Sequence, residues 1–443
     1  VSAEKELVGG GMKPVYKVVD DTVHMIYTTG GGSAHYQRLT TSGDKIGNAE
    51  NISDIEWMTS GFNAGIQNPS LAYRDGKLVV ASGDNSGFMR IAVKEGGSWV
   101  HSEKIDEAEK SGGYKRCVDP DVAIESDGTV HVVYQKYGND DEVHAVLDAS
   151  SHSVKKTNVL SSGQGEHSIR RLMVTGDNTL HLAYVHHIHE VYYRQYDGSW
   201  TDAMNVKSQG GYTGHVDMDI SGNTAYVLFS QGGPQFVAMT KVDLQSRNKD
   251  VVKVADESDE LFSQSIGVNK DHGTIHVTYW HRTGDFNAAE LQYIYSEDDG
   301  QSWSSPETIT EQEANFGKAW ITYVGDNKSI IIYSDRRKNV YMRTFDEGGT
   351  GVTESAPHAG SVDAQLARKG VAVRTTKASV VVTPGTGSAI RDITVYDSFG
   401  KVLGAASDVG GQRSIAVNAT GVFYVDIRLR HGGTIRRKLT TLY

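Results

Sequence analysis

The chain is 443 residues long, and its 55 Asp and Glu outweigh 44 Lys and Arg to leave a formal net charge of -11. That excess of acid excludes a general attraction to nucleic acid or to an anionic membrane, so an anionic ligand needs a local basic pocket. No apolar run approaches the ~18 residues that cross a bilayer, and Cys117 has no second cysteine to pair with; we expect a soluble chain without membrane insertion, held by burial alone.

In chain order, Val1–Lys5 lacks a basic start followed by an apolar core, so a mature or trimmed chain is expected. Glu4–Val8 reads as a lone strand. From Lys13 one unit then recurs seven times. Each copy opens with an apolar strand, at Lys13-Pro14-Val15, Asn68-Pro69-Ser70, Asp119-Pro120-Asp121, Glu166-His167-Ser168, Gly214-His215-Val216, Ser263-Gln264-Ser265 and Gly317-Lys318-Ala319. Three prolines share the first position of a strand, where a missing N–H is tolerated.

A second strand follows a turn signal such as Ser126-Asp127-Gly128. It is clear in Val23–Tyr27, Val130–Tyr134, Leu180–Tyr184 and Ile275–Tyr279, and weaker in Leu78–Ala81, Ala225–Phe229 and Ile330–Tyr333. The four clear copies carry His24, His131, His181 and His276 at one repeat position, which demands a common packing cause. Third strands alternate, as in Val191–Tyr196 and Val340–Phe345, and fourth strands such as Lys156–Leu160 and Pro306–Thr310 follow in six units. The seventh lacks its own, and Glu4–Val8 has the character to supply it. Four antiparallel strands repeated seven times, with the N-terminal strand closing the last unit, predict an all-β fold, a seven-bladed β-propeller over residues 1–350.

Ser296–Trp303 resembles the Asp-box of sialidase-type propellers, with Ser302 where Thr is usual; Gly96–Trp99 and Asp197–Trp200 are degenerate relatives. The expected role is structural. Asp accepts backbone N–H groups, Gly takes a positive φ and Trp packs between blades, on the face opposite the ligands.

Beyond Phe345 the small and polar composition of residues 351–370 reads as a linker, and residues 371–443 as a small β-sandwich. Its segments Tyr396-Asp397-Ser398-Phe399-Gly400-Lys401 and Gly421-Val422-Phe423-Tyr424-Val425 resemble the C-terminal sorting domain of type IX secretion substrates in Bacteroidota, with the leading element degenerate at Val382–Gly385. That resemblance implies export across the outer membrane by the type IX machinery, followed by release or cell-surface attachment. A generic carbohydrate-binding sandwich is the alternative.

In a four-stranded blade the opening of the first strand and the exit of the second lie on one face. In register, the openings present Pro14, Pro69, Pro120, His167, His215, Gln264 and Lys318; the exits add Lys136 and Tyr137, His186 and His187, His281 and Arg282, Asp335 and Arg336. Connections between blades contribute Trp57, Arg116 and Tyr212, and blade six adds Trp280. Aromatic platforms stack on sugars, and Arg or Lys pairs with carboxylate or sulfate, so this inventory suits an anionic polysaccharide or surface glycan.

Three functions fit. A β-elimination on a uronic acid needs a group to neutralise the carboxylate, a base and an acid, and no metal or cofactor. His167 with His187 in one blade is similar to the paired histidines of propeller ulvan lyases, and that resemblance implies catalytic roles for His167, His187, Arg282 and Tyr212, with Tyr137 as the alternative tyrosine. Substrate contacts are then expected from His186, His215, His281, Trp280, Lys136, Tyr137, Lys318, Asp335, Arg336, Arg116 and Trp57. A non-catalytic lectin-like propeller explains the same inventory. A sialidase-like hydrolase would need an arginine triad whose Phe-Arg-Ile-Pro segment is absent. His186, His187, His189 and Glu190 have the residue types for zinc, but adjacent strand residues face opposite ways. A monomer is expected.

Overall fold

The computed structural model describes residues 2–29, 34–52, 69–83, 87–107, 116–137, 141–162, 170–186, 189–207, 213, 215–231, 236–256, 262–270, 273–282, 289–310, 319–325, 328–335, 339–346, 371–376, 379–384, 390–397, 402–409, 413–416, 421–429 and 434–441. The chain divides into two compact units, Val1–Gly349 and Thr350–Tyr443.

The first unit is the seven-bladed propeller. Blade one is built from Gly11–Val19, Thr22–Thr29, Ala34–Thr40 and Lys45–Asn51, and blades two to six repeat that consecutive antiparallel order. Blade seven takes Trp320–Gly325, Lys328–Ser334 and Val340–Asp346 from the C-terminal side of the ring and Lys5–Val8 from the N-terminus as its outermost strand. The N-terminal strand closes the ring as expected, because the last unit has no fourth strand and an unpaired edge would otherwise remain. Fourth strands shrink to two residues in blade four, Met204–Asn205, and blade six, Glu307–Thr308.

The core is distributed. Each pair of neighbouring blades shares one apolar cluster: Ile26 with Leu71 between blades one and two, Tyr134 with Met89 between two and three, and so on round the ring to Met25 with Ile332 between one and seven. Because strand side chains alternate between two faces, and both faces of most inner strands meet another blade, the second strands are apolar almost throughout. The repeated histidine is explained by these clusters. His24 Nδ1 bonds the Tyr36 hydroxyl, His181 Nδ1 that of Tyr193 and His276 Nδ1 that of Tyr293, each at 2.7 Å; in blade three His144 replaces the tyrosine and meets His131 Nδ1 at 2.9 Å.

The Ser296–Trp303 segment makes the expected turn. Asp298 accepts Ser302 N at 2.8 Å and Ser302 Oγ at 2.6 Å, Gly300 has φ 83, and Trp303 packs on the cluster shared by blades five and six. Asp299 then ties the turn to blade five by accepting the Tyr226 hydroxyl at 3.0 Å.

The second unit has its own two sheets. One orders Val371–Thr376, Ser379–Pro384 and Arg413–Ala416; the other orders Val402–Val409, Ile390–Asp397, Gly421–Leu429 and Thr434–Thr441, with Ile393 and Val395 fully buried.

Candidate functional site: the channel and the blade-four rim

The first strand of each blade lines the central channel. Cross-strand pairing makes Val15, Ser70, Asp121, Arg171, Asp217, Ser265 and Trp320 equivalent, opposite Ile26, Ala81, Val133, Ala183, Leu228, Thr278 and Ile332. Side chains at this level stitch each blade to the next. Ser70 Oγ donates to Asp121 Oδ1 at 2.5 Å, and Asp121 Oδ2 accepts Leu172 N at 2.7 Å. Arg171 Nε lies 3.2 Å from Asp217 Oδ1. Asp217 Oδ2 accepts Ser265 Oγ at 2.8 Å and Ile266 N at 3.0 Å, and Ser265 Oγ accepts Ile321 N at 3.0 Å. The Tyr16 hydroxyl donates to Trp320 O at 2.6 Å. Hydrogen bonds, and between blades four and five the Arg171–Asp217 ion pair, thus run at one depth from blade two through every later blade to blade one.

A cavity of about 350 Å³ follows the channel, and its charged lining is Lys17, Asp121, Arg170, Arg171, Asp219 and Lys270. Arg171 crosses it to lay its guanidinium 4.9 Å from the Trp320 ring centre. Asp219 accepts Ile220 N and Val268 N, both at 2.8 Å, and meets Lys270 Nζ at 2.6 Å. Burial, and then the Arg171 charge, pull the Lys17 amine down to about 8, while burial raises the Asp217 carboxyl against the pull of Arg171.

Arg170 faces the other way. Its Nε and Nη2 grip Glu142 of blade three at 2.6 and 3.0 Å, and Nη1 donates to Val118 O and Asp119 O. Both side chains are fully buried. This residue also corrects the expected register. Arg170 pairs with Tyr184 and Val216 with Phe229, so these two hold the places opposite the second-strand aromatic that His167 and His215 were expected to hold. Blades four and five have no proline at that point to mark the strand start, and pairing alone sets the register. The available signal was Arg170-Arg171 opening an otherwise apolar strand.

Blade four brings several ionisable groups together at one end of its strands. His186 is half-buried with Nδ1 3.3 Å from Glu190 Oε2, its ring edge-on to Tyr192 at 5.2 Å, and the Tyr192 hydroxyl donates to the same Glu190 oxygen at 3.1 Å. His189 is exposed and its carbonyl accepts Lys207 Nζ at 2.9 Å; Lys207 also donates to Thr213 Oγ1 at 2.6 Å. Burial pulls the Lys207 amine down to about 8 against the Glu190 charge. Lys207 was not singled out by sequence, since a lysine between blades reads as a solvated loop residue. His215 is half-buried next along, its carbonyl accepting Gln264 Nε2 at 2.7 Å.

Other expected residues are scattered. Lys136 Nζ lies 3.1 Å from Asp106, which also accepts the Tyr134 hydroxyl. His281 is half-buried opposite Glu290, and Asp335 is buried and accepts Asn339 N at 2.8 Å, shaping its own turn. Trp280 is corrected from sugar platform to core: it is 0% exposed among Leu291, Ile321 and Tyr333, because its strand position faces blade seven and not the mouth. Trp57, His167, His187, Tyr212, Lys318 and Arg336 lie outside the described residues, as do the side chains of Arg116, Tyr137 and Arg282. Among the described residues no three His, Cys, Asp or Glu side chains come together as a metal site; His187 of the candidate zinc set is not one of them.

No family model and no curated protein sequence matches the chain. Among solved structures, the BP39L lectin from Burkholderia pseudomallei aligns with a TM-score of 0.56 at 11% identity, covering 77% of this chain and 98% of the lectin. The GH74 enzyme from Niastella koreensis aligns at 0.51 and 12% identity, over 96% of this chain and 72% of that one. The Hadza microbial sialidase Hz136 gives 0.42 at 11% identity, over 74% of each chain. At such identities the first two likenesses establish the propeller fold and nothing finer.

Proposed function

We propose that this protein binds an anionic polysaccharide at the mouth of the propeller and cleaves it by β-elimination. The observation that carries the reading is the blade-four cluster at the end of its second strand, where His186 lies 3.3 Å from Glu190, Tyr192 donates to the same carboxylate and Lys207 donates to the His189 carbonyl. In the reaction a base removes the proton beside the uronate carboxylate, the bond to the leaving oxygen breaks as the ring double bond forms, and an acid protonates that oxygen. We assign proton removal to His167 or His187, neutralisation of the carboxylate to Arg282 and protonation to Tyr212, with His186 and His215 as neighbouring sugar contacts. The likeness to a lectin and to a GH74 enzyme supports a carbohydrate-directed propeller as background.

A non-catalytic glycan-binding propeller is the second reading. It is favoured by how fully the rim groups are used inside the protein: Lys207 on Thr213 and the His189 carbonyl, His186 on Glu190. Incubation with ulvan, pectin, alginate and glycosaminoglycans separates the two. Ultraviolet absorbance of unsaturated uronate is expected, lowered about 10²- to 10⁴-fold in His187→Ala; retained binding without absorbance selects the second reading, and neither signal rejects both. For the C-terminal unit we propose the sorting role, tested by whether its deletion keeps the propeller inside a type IX-competent cell.

A further inference from the structure

We propose that the central channel holds a small oxyanion between Lys17 and Arg171, at a site separate from the rim. The cavity of about 350 Å³ has room for a sulfate, a phosphate or a small carboxylate with its water.

The acids and cations that line it are unequally served. Asp121 accepts Val122 N at 3.0 Å and Leu172 N at 2.7 Å besides the Ser70 hydroxyl, and Asp219 has two backbone N–H donors and Lys270. Both carboxylates are therefore solvated by the strands themselves. Lys17 and Arg171 are not, unlike Arg170 on Glu142 and Lys270 on Asp219. Among the described residues Lys17 makes no hydrogen bond and no ion pair, and Arg171 commits Nε to Asp217 and its face to Trp320, leaving its two Nη atoms without a hydrogen bond.

Arg171 is close enough to Lys17 to disfavour its charge, which Asp121 and Asp219 favour, while Asp217, Asp121 and Asp219 favour the charge of Arg171. Arg171 keeps 25% of its side chain exposed although protein surrounds it, so that surface looks into the cavity. Two neighbouring cations with unfilled donors, in a walled space with the acids already satisfied, match the geometry by which a bidentate guanidinium and an ammonium take one oxyanion.

Equilibrium dialysis of the full chain against sulfate, phosphate and acetate, at fixed ionic strength, tests this. At least one of the three should occupy a saturable site, weakened about tenfold or more by Lys17→Met and by Arg171→Met. Competition identifies the source: preference for sulfate or phosphate indicates a free inorganic ion, preference for acetate a carboxylate. The bound anion should also raise the Tm of the wild type and not of Lys17→Met. Absence of saturable binding by all three anions, or undiminished binding by folded Lys17→Met, overturns the site.

Discussion

Trp200 Nε1 donates to His144 Nδ1 at 3.0 Å across the boundary between blades four and three. Because Nδ1 accepts, the neutral His144 ring carries its proton on Nε2 and donates to His131 Nδ1 at 2.9 Å. His131 then carries its own proton on Nε2, 2.8 Å from Glu125 Oε1. The indole N–H, with the longer approach of Asn158 Nδ2 to the same nitrogen at 3.5 Å and Glu125 at the far ring, therefore favours one tautomer in each of two buried rings.

Trp200→Phe keeps the aromatic bulk and removes the donor. It should cost about 1–3 kcal/mol, the penalty for a buried acceptor left short of its partner, and imidazole nitrogen NMR should show His144 losing its single tautomer. Urea unfolding measures the first effect. An unchanged tautomer in the variant would show that some other group sets it.

Stability should fall on acidification in a definite window. Burial holds His24, His131 and His181 at about 4 and His144 at about 3, against an ordinary 6.5. As pH drops from 6.5 towards 4 the unfolded chain binds protons that the native rings refuse, so stability is full above that window and is lost through it. The Tm recorded over this range should decline, less steeply in His181→Gln. A flat wild-type profile above pH 4 would mean these rings are charged in the folded state.

The Arg170–Glu142 pair is wholly buried and links two blades. Removing one partner strands the other charge without water, so Arg170→Met alone should destabilise by about 3–5 kcal/mol, while Arg170→Met with Glu142→Leu should cost less than the single change. Urea denaturation of the three proteins decides it; additive losses would count against the pair.

Gly83 ends the second strand of blade two against blade three. A Cβ there would stand 1.7 Å from Cys117 O, a backbone atom that no rotamer can move, whereas a Cβ on Gly176 meets nothing within 4 Å. Gly83→Ala is expected to cost about 4 kcal/mol or more, and Gly176→Ala to stay within about 0.5 kcal/mol. Thermal unfolding of both variants is the check.

Much of the architecture was legible before any coordinates. Strand alternation, the turn at Asp298, the histidine that recurs beside Val23, Val130, Leu180 and Ile275, and the closing role of Lys5–Val8 depend on pleat, turn chemistry and edge pairing, all expressed over a few consecutive residues. Other features were not local. Whether Trp280 faces a neighbouring blade or the mouth, and whether Arg170 or His167 opens blade four, depends on which strand face meets which sheet, and a register change of one residue exchanges those faces. Sequence alone determined that seven four-stranded units close a ring; only the tertiary structure decided that Lys17 and Arg171, 154 positions apart in the numbering (171 minus 17), share one cavity, because that meeting is made by the closure of the ring and not by any stretch of chain between them.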